Sequence, residues 1–544
     1  MRQWTATLIS LDILIILMES FTMPSADIKC SFSTEAVTDR RCDVLIIPAY
    51  TAPTPKSRSK TKTEKKASLL ANDTLSTLDK HVKGRFKKLV KEEGFIGAKG
   101  SSITIQVIEQ DKLPIRRIVL LGLGEQKKVT LTTYQKNIEK AVKQHLSLHN
   151  VGTIATTFPS NLELTPTQLI HALVDASFAT TYASEEALKP AKAFSRLVLM
   201  TEKLPSVTLR KALKDAAEYA KARSQVKDLV NKPANQKNPD TLVDLAKKLG
   251  KHPQLKTKVQ ASADWIEKNM PCFFEVARGS VDSDPPRFIT VSYTPAGSKS
   301  GARRNRKKIA LVGKSVMFDT GGYQVKTGNY MNTMKGDMTG GASVLSAMAA
   351  IAELAPNVEV TAYMAATPNK ISSYAMIPDA IVDTTCGKKV EIRHTDAEGR
   401  LTLIDAVAKA AEDEPDELVT VATLTGSASV AVGCSIALMG NNTELRNKLE
   451  NAARYLGEPV QPLDVTEDDF DAIQSTLDGA DIRNTQKGKG RGAQTAGAFV
   501  MSGAPEGLPI AHLDIAGADF TDDEKATGIG VRALIHYVMG ASTN

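Results

Sequence analysis

The chain has 544 residues, 42% hydrophobic and 24% charged, with a formal net charge of +8. So long a chain exceeds one ordinary core, so two or more domains are expected, and the composition excludes a disordered or fibrous protein. The mild positive charge permits contact with nucleic acid or an anionic surface without requiring either. Five scattered cysteines with no C-x-x-C spacing exclude a cysteine-based zinc module and suit a reducing compartment.

The first apolar stretch, TATLISLDILIILMESF, is interrupted by Asp12 and Glu19, preceded by a basic region of Arg2 alone, and followed by no A-x-A site. It is short for a membrane span. Met23 opens MPSADIKCSFS in the manner of a cytosolic protein. Residues 1–22 are therefore read as a leader or mis-assigned start and the protein as cytoplasmic with no membrane association, secretion being the alternative. CDVLIIPAY reads as a buried strand. TPKSRSKTKTEKKA, basic and nearly free of apolar residues, reads as a mobile surface loop. RRIVLLGLGE is a second buried strand, followed by the helical pattern TYQKNIEKAVKQHL. Its Gly122-x-Gly124 pair lacks the third glycine of a dinucleotide-binding turn, since Lys127 stands there. SRLVLM supplies another strand.

A charged helical pattern from about Arg210 to Val230, ending before NKPANQKNP, is the candidate hinge. The expected division is an N-terminal α/β domain over 23–205, a linking helix over 206–232, and a larger C-terminal α/β catalytic domain over 233–544. In that second half KKIALVG, EVTAYMAA, LVTVATLTG and LPIAHLDIAG read as strands, GASVLSAMAAIAEL and RLTLIDAVAKAAED as helices. The expected fold is a central mixed sheet flanked by helices.

Two stretches carry chemistry. In LVGKSVMFDTGGYQVKTGNYMNTMKGDMTGGAS, the GKS is not a phosphate-binding loop, because Lys308 stands where that motif needs glycine. What remains is Lys314, Asp319, Lys326 and Asp337. In HTDAEGRLTLIDA, Asp396, Glu398 and Arg400 alternate, and in an extended segment alternate side chains point the same way. A solvated acidic loop explains these few residues as well. Taken together, however, Asp319, Asp337, Asp396 and Glu398 carry four negative charges, which two divalent cations neutralise. Oxygen donors without a histidine or cysteine array suit Mn(II), Mg(II) or carboxylate-bound Zn(II). Adjacent dications depress a lysine pKa, so Lys314 could bind as a neutral amine. Lys326 and Arg400 would stay charged and stabilise an oxyanion or hold an anion.

VGK, FDTGG, the lysine of VKTG, MKGDM-x-GG, TDAEGRL and ATLTG together resemble the leucyl aminopeptidase (cytosol aminopeptidase) family of dinuclear metallopeptidases, in its order and spacing. NKPANQKNP and AHLDIAG are similar to further family segments. The resemblance implies one metal site of Asp319, Asp396 and Glu398 and another of Lys314, Asp319, Asp337 and Glu398, bridged by Asp319 and Glu398. It implies that Lys326 is the catalytic lysine and that Arg400 holds a bicarbonate proton shuttle. Met334, Thr423, Leu424 and Gly426 match substrate-pocket positions, though Met334 reads equally as a core methionine. The implied reaction is removal of the first residue, leucine or a similar apolar one, from a peptide with a free α-amine, by a metal-bridging hydroxide. A homohexamer is also implied.

The sequence departs from the family at His394, Thr320 and Thr327, and PNKISSYAMIPDA (368–380) replaces a differently composed segment. His394 is expected to hydrogen-bond behind the site rather than to ligate. These changes bear on substrate preference more than on reaction class. Two other classes stand beside the enzyme: DNA binding through KSRSKTKTEKK and ARRNRKK, which lack interleaved aromatics, and a non-catalytic structural subunit.

Overall fold

The computed structural model describes residues 28–53, 68–148, 151–159, 162–183, 193–297, 306–488 and 490–542. The apolar stretch near the start, the whole of KSRSKTKTEKK and the first four residues of ARRNRKK lie outside them. Among the described residues no helix is long and apolar enough to cross a membrane.

The N-terminal domain is built on β1 (Lys29–Ser33), β2 (Cys42–Thr51), β3 (Ser102–Gln106), β4 (Ile115–Glu125), β5 (Thr153–Thr157) and β6 (Arg196–Met200), in the order β1-β6-β5-β2-β4-β3. Every neighbouring pair is parallel except β3 with β4. Between Asp43 and Thr51 the run VLIIPAY is buried at every position because both faces of a parallel sheet are covered by helices. Val44 and Ile46 face one core and Leu45 and Ile47 the other, the period of two expected of a strand.

The chain continues through β7 (Leu255–Gln260), β8 (Arg287–Tyr293), β9 (Lys308–Asp319), β10 (Glu359–Asn369), the short β11 (Ile381–Asp383) and β12 (Lys389–Glu391), β13 (Glu417–Ala422), β14 (Ile436–Gly440), β15 (Val460–Pro462), β16 (Ile482–Arg483) and β17 (Ile510–Asp514). Eight of these form the mixed sheet β15-β14-β17-β13-β9-β10-β8-β7, and β11-β12-β16 form a small one. The helices Val207–Asn231, Thr339–Leu354 and Val531–Ala541 cover one face of the large sheet. Gly399–Ala411 and Gly492–Met501 cover the other. This is the two-domain α/β architecture the sequence predicts.

The candidate hinge is a continuous 25-residue helix, Val207–Asn231, begun by the Ser206 side chain accepting from the Leu209 amide. Ala212, Leu213, Ala216 and Ala220 belong to the N-terminal core, and Tyr219, Ala222, Val226 and Val230 to the C-terminal one. One helix thus walls both domains. At this junction Asp175 is wholly buried between Arg223 (2.5 Å) and Arg532 (3.2 Å), and the rings of His171, Tyr219, Tyr455 and His536 pack together.

Burial, helped by His536 and Arg532, lowers the His171 pKa to about 3. A histidine held neutral in the folded state and titrating near 6.5 when unfolded stabilises the fold above pH 6.5. That contribution is lost as pH falls from 6.5 toward 3, because only the unfolded chain takes up the proton. His171→Phe, which keeps a ring against Tyr219, is expected to lose about 2 kcal/mol less stability between pH 7 and pH 5 than the wild type. Denaturant midpoints at the two pH values measure this, and equal losses would refute it.

Candidate metal centre and active site

The site lies where parallel strands end, the usual place for a ligand in an α/β sheet. Asp319 closes β9, and Asn369, its register partner on β10, donates from Nδ2 to Asp319 Oδ1 at 2.8 Å. The Gly321 amide donates to the same oxygen at 2.9 Å. Gly321 (φ +88°) and Gly322 (φ +66°) then turn the chain through the left-handed region open to glycine. The turn returns Lys326, whose amide bonds the Thr320 carbonyl at 3.0 Å and whose Nζ lies 2.8 Å from Asp319 and 2.5 Å from Asp396.

Lys314 and Asp319 both lie within β9, which runs six residues beyond the predicted KKIALVG because its whole length is covered. Lys314 Nζ is 2.6 Å from Asp337 Oδ1, 3.0 Å from Glu398 Oε1 and 2.9 Å from the Thr423 carbonyl it donates to. It reaches Glu398 across Gly399, where a Cβ would stand 2.3 Å from Lys314 Cε.

Asp396, Glu398 and Arg400 do not alternate along a strand. β12 ends at Glu391, Asp396 lies in a turn, Glu398 is the N-cap of the helix Gly399–Ala411 with helical torsions, and Arg400 lies in its first turn. Helix-forming RLTLIDA starts earlier than an extended reading allows, and convergence comes from the turn. Thr395 fixes that turn, donating to the Gly321 carbonyl and accepting from the Gln324 amide. Arg400 is buried, with Nε and Nη1 unpartnered among the described residues.

Asp319, Asp396 and Glu398 each offer a carboxylate oxygen within 4.8 Å of the others. Asp337, nearly fully buried, spends Oδ1 on Lys314 and Thr423 and leaves Oδ2 without a partner. Burial, then the neighbouring Asp319 carboxylate, raises Asp396 to about 7. Burial, with Glu398 and Asp319, lifts Asp337 well above the carboxylate range against the pull of Lys314. Burial pulls both lysines down, and their carboxylate neighbours more than reverse it. Burial lowers Arg400 to about 10 against Glu398 and Asp514. Four crowded carboxylates faced by two ammonium groups leave uncompensated negative charge and a buried orphan oxygen. That is a donor set suited to hard divalent cations.

Of the remaining predicted residues, Met334 opens the turn Met334–Gly336 before Asp337, and Thr423 touches Lys314 and Asp337. Leu424 and Gly426 follow β13, which stops at Ala422 rather than running through LTG, because Asp514 takes the Leu424 amide and the Thr425 hydroxyl. His394 accepts the Asp396 amide on Nδ1 at 3.2 Å and is exposed. Asn369, Thr395, Asn484 and Asp514 support the site without having been singled out. The signal available for Asp514 was a buried acid ending an apolar strand. Asn484 braces the ligand turn by accepting from the His394 amide and donating to its carbonyl.

Residues 224–535 match the catalytic domain of the cytosol aminopeptidase family and residues 61–186 its N-terminal domain. This chain belongs to the cytosol aminopeptidase family. Probable cytosol aminopeptidases of Aquifex aeolicus (32% identical, 86% of this chain and 93% of that one) and Gloeothece citriformis (34%, 86% and 94%) are similar over nearly their full lengths. A mutant of tomato leucine aminopeptidase superposes with a TM-score of 0.80 at 28% identity, over 95% of this chain and 97% of that one. The bottromycin maturation enzyme BotP, solved in complex with Mn, shares the fold with a TM-score of 0.75 at 23% identity, over 92% and 100%. The protein is thus a peptidase of the metal-dependent cytosol aminopeptidase family.

Proposed function

We propose that this family member removes the N-terminal residue, leucine or a similar apolar one by preference, from peptides with a free α-amine, using two divalent cations held side by side. The observation that supports it most is the convergence of Asp319, Asp396 and Glu398 within 4.8 Å beside the orphan oxygen of Asp337. Asp319, Asp396 and Glu398 would hold one cation, and Lys314, Asp319, Asp337 and Glu398 the other. Mn(II) or Zn(II), then Mg(II), suits these donors. Such a pair, when bound, supplies an activated water and polarises the scissile carbonyl.

The chain's own residues do the rest. Lys326, 12% exposed, presents its ammonium at the open side of the cluster, where charge develops on the carbonyl oxygen. Arg400, with unpartnered N–H groups, would hold a small oxyanion, bicarbonate in this reading, which when bound would supply proton transfer. Met334, Thr423, Leu424 and Gly426 line the first-residue pocket. A Cβ at Gly426 would meet open space, consistent with room for a side chain there. The assembly is a homohexamer and the compartment the cytoplasm. The catalytic unit runs over 233–544, joined to the 23–205 domain by 206–232.

The test is hydrolysis of a leucine chromogenic amide by metal-stripped protein after adding Mn(II), Zn(II) or Mg(II). Cleavage is expected only with metal, and is expected to be lost on N-acetylation of the substrate and in Asp396→Ala. Cleavage of the acetylated substrate, or no cleavage with any metal, would overturn the reading.

A further inference from the structure

This inference rests on the two-cation reading. Lys237, in NKPANQKNP, is 7% exposed and donates from Nζ to three backbone carbonyls: Leu229 (3.0 Å), Val230 (3.1 Å) and Lys335 (2.6 Å). The first two belong to the last turn of the helix Val207–Asn231, where carbonyls lack intrahelical partners. The third belongs to the turn Met334–Gly336, which delivers Asp337. A second tie runs the other way, from Lys335 Nζ to the Asn231 carbonyl at 3.4 Å.

The turn is gripped from its other side as well. The Phe520 ring lies against Gly336 so closely that a Cβ there would stand 2.3 Å from it. Thr333 enters the turn at φ +65°, a left-handed conformation that a branched residue keeps only where its surroundings hold it. Asp337 is thus presented by a strained turn whose carbonyl anchor is the Lys237 ammonium.

We propose that Lys237 is a positioning residue of the metal centre. By tying the end of the interdomain helix to the Lys335 carbonyl, it sets the affinity of the cation site built on Asp337 and Lys314, leaving the site built on Asp396 untouched. Lys237→Met keeps the aliphatic stem and removes the donor. Lys232→Met removes a lysine from the same helix end and controls for the loss of one positive charge there.

The experiment is equilibrium dialysis of the full-length, metal-stripped protein against Mn(II), with hydrogen exchange of the amides at 334–338. Wild type and Lys232→Met are expected to bind two Mn(II) per chain. Lys237→Met is expected to keep one at wild-type affinity, lose about tenfold or more at the other, and exchange those amides faster. Two unchanged affinities in Lys237→Met overturn the inference alone. Equal weakening of both sites with a lowered melting temperature overturns it in favour of a purely structural lysine. A wild type that binds fewer than two Mn(II) ends the two-cation reading and this inference with it. Should Lys237→Met not fold, Lys237→Gln, which retains an N–H donor, is read by the same criteria with a smaller loss.

Discussion

Glu398→Gln is expected to lower kcat/KM for a leucine amide by about 10³-fold or more, equivalent to ~4 kcal/mol of transition-state stabilisation. Glu398 is 2% exposed, stands at the N-cap position of the helix Gly399–Ala411 and pairs with Lys314 at 3.0 Å. Glutamine preserves its size and its packing, so the fold should persist. What changes is charge. In the proposed assignment Glu398 serves both cations, so its neutralisation should cut bound metal below two per chain while the melting temperature of the metal-stripped protein changes little. Metal counted by elemental analysis, beside kinetics and melting, separates the outcomes. Wild-type turnover with two metals retained would remove Glu398 from the site.

Lys326→Met is expected to behave in the opposite way toward metal. Its ammonium contacts Asp319 and Asp396, the same carboxylates that a cation would use. Removing it deletes a competing positive charge, so Mn(II) uptake should hold or tighten. The same change deletes the donor proposed for the carbonyl oxygen, so kcat should fall by about 10² to 10³. KM should move little if the interaction forms chiefly in the transition state. A fall in kcat accompanied by loss of metal would instead make Lys326 part of the scaffold. Glu398 and Lys326 are thus distinguished by the direction in which metal affinity moves.

The sequence carried much of this site for a physical reason. Four acids, two lysines and an arginine cannot share one buried volume unless something compensates them, so residue types and their charge sum already imply cations. The α/β class was legible from apolar runs alternating with helical patterns, and the long helix Val207–Asn231 from its own period. Local signals could not show which side chains support the ligands. Asn369 matters because β9 and β10 pair in parallel with Asn369 beside Asp319, a register set by the whole sheet. Arg400 left the expected alternation because a helix nucleates at Glu398 once the turn at Asp396 is pinned by Thr395 and Asn484, 89 positions apart in the chain.

Composition and local pattern alone determined a globular two-part α/β chain bearing a hard-cation donor set, because charge, periodicity and glycine turns are properties of neighbouring residues. The tertiary structure decided that Lys314 and Lys326 each sit between two carboxylates, that Asp337 keeps an orphan oxygen, and that Lys237 anchors the turn before it. Those facts depend on strand register and on packing between distant segments, which no window of sequence contains.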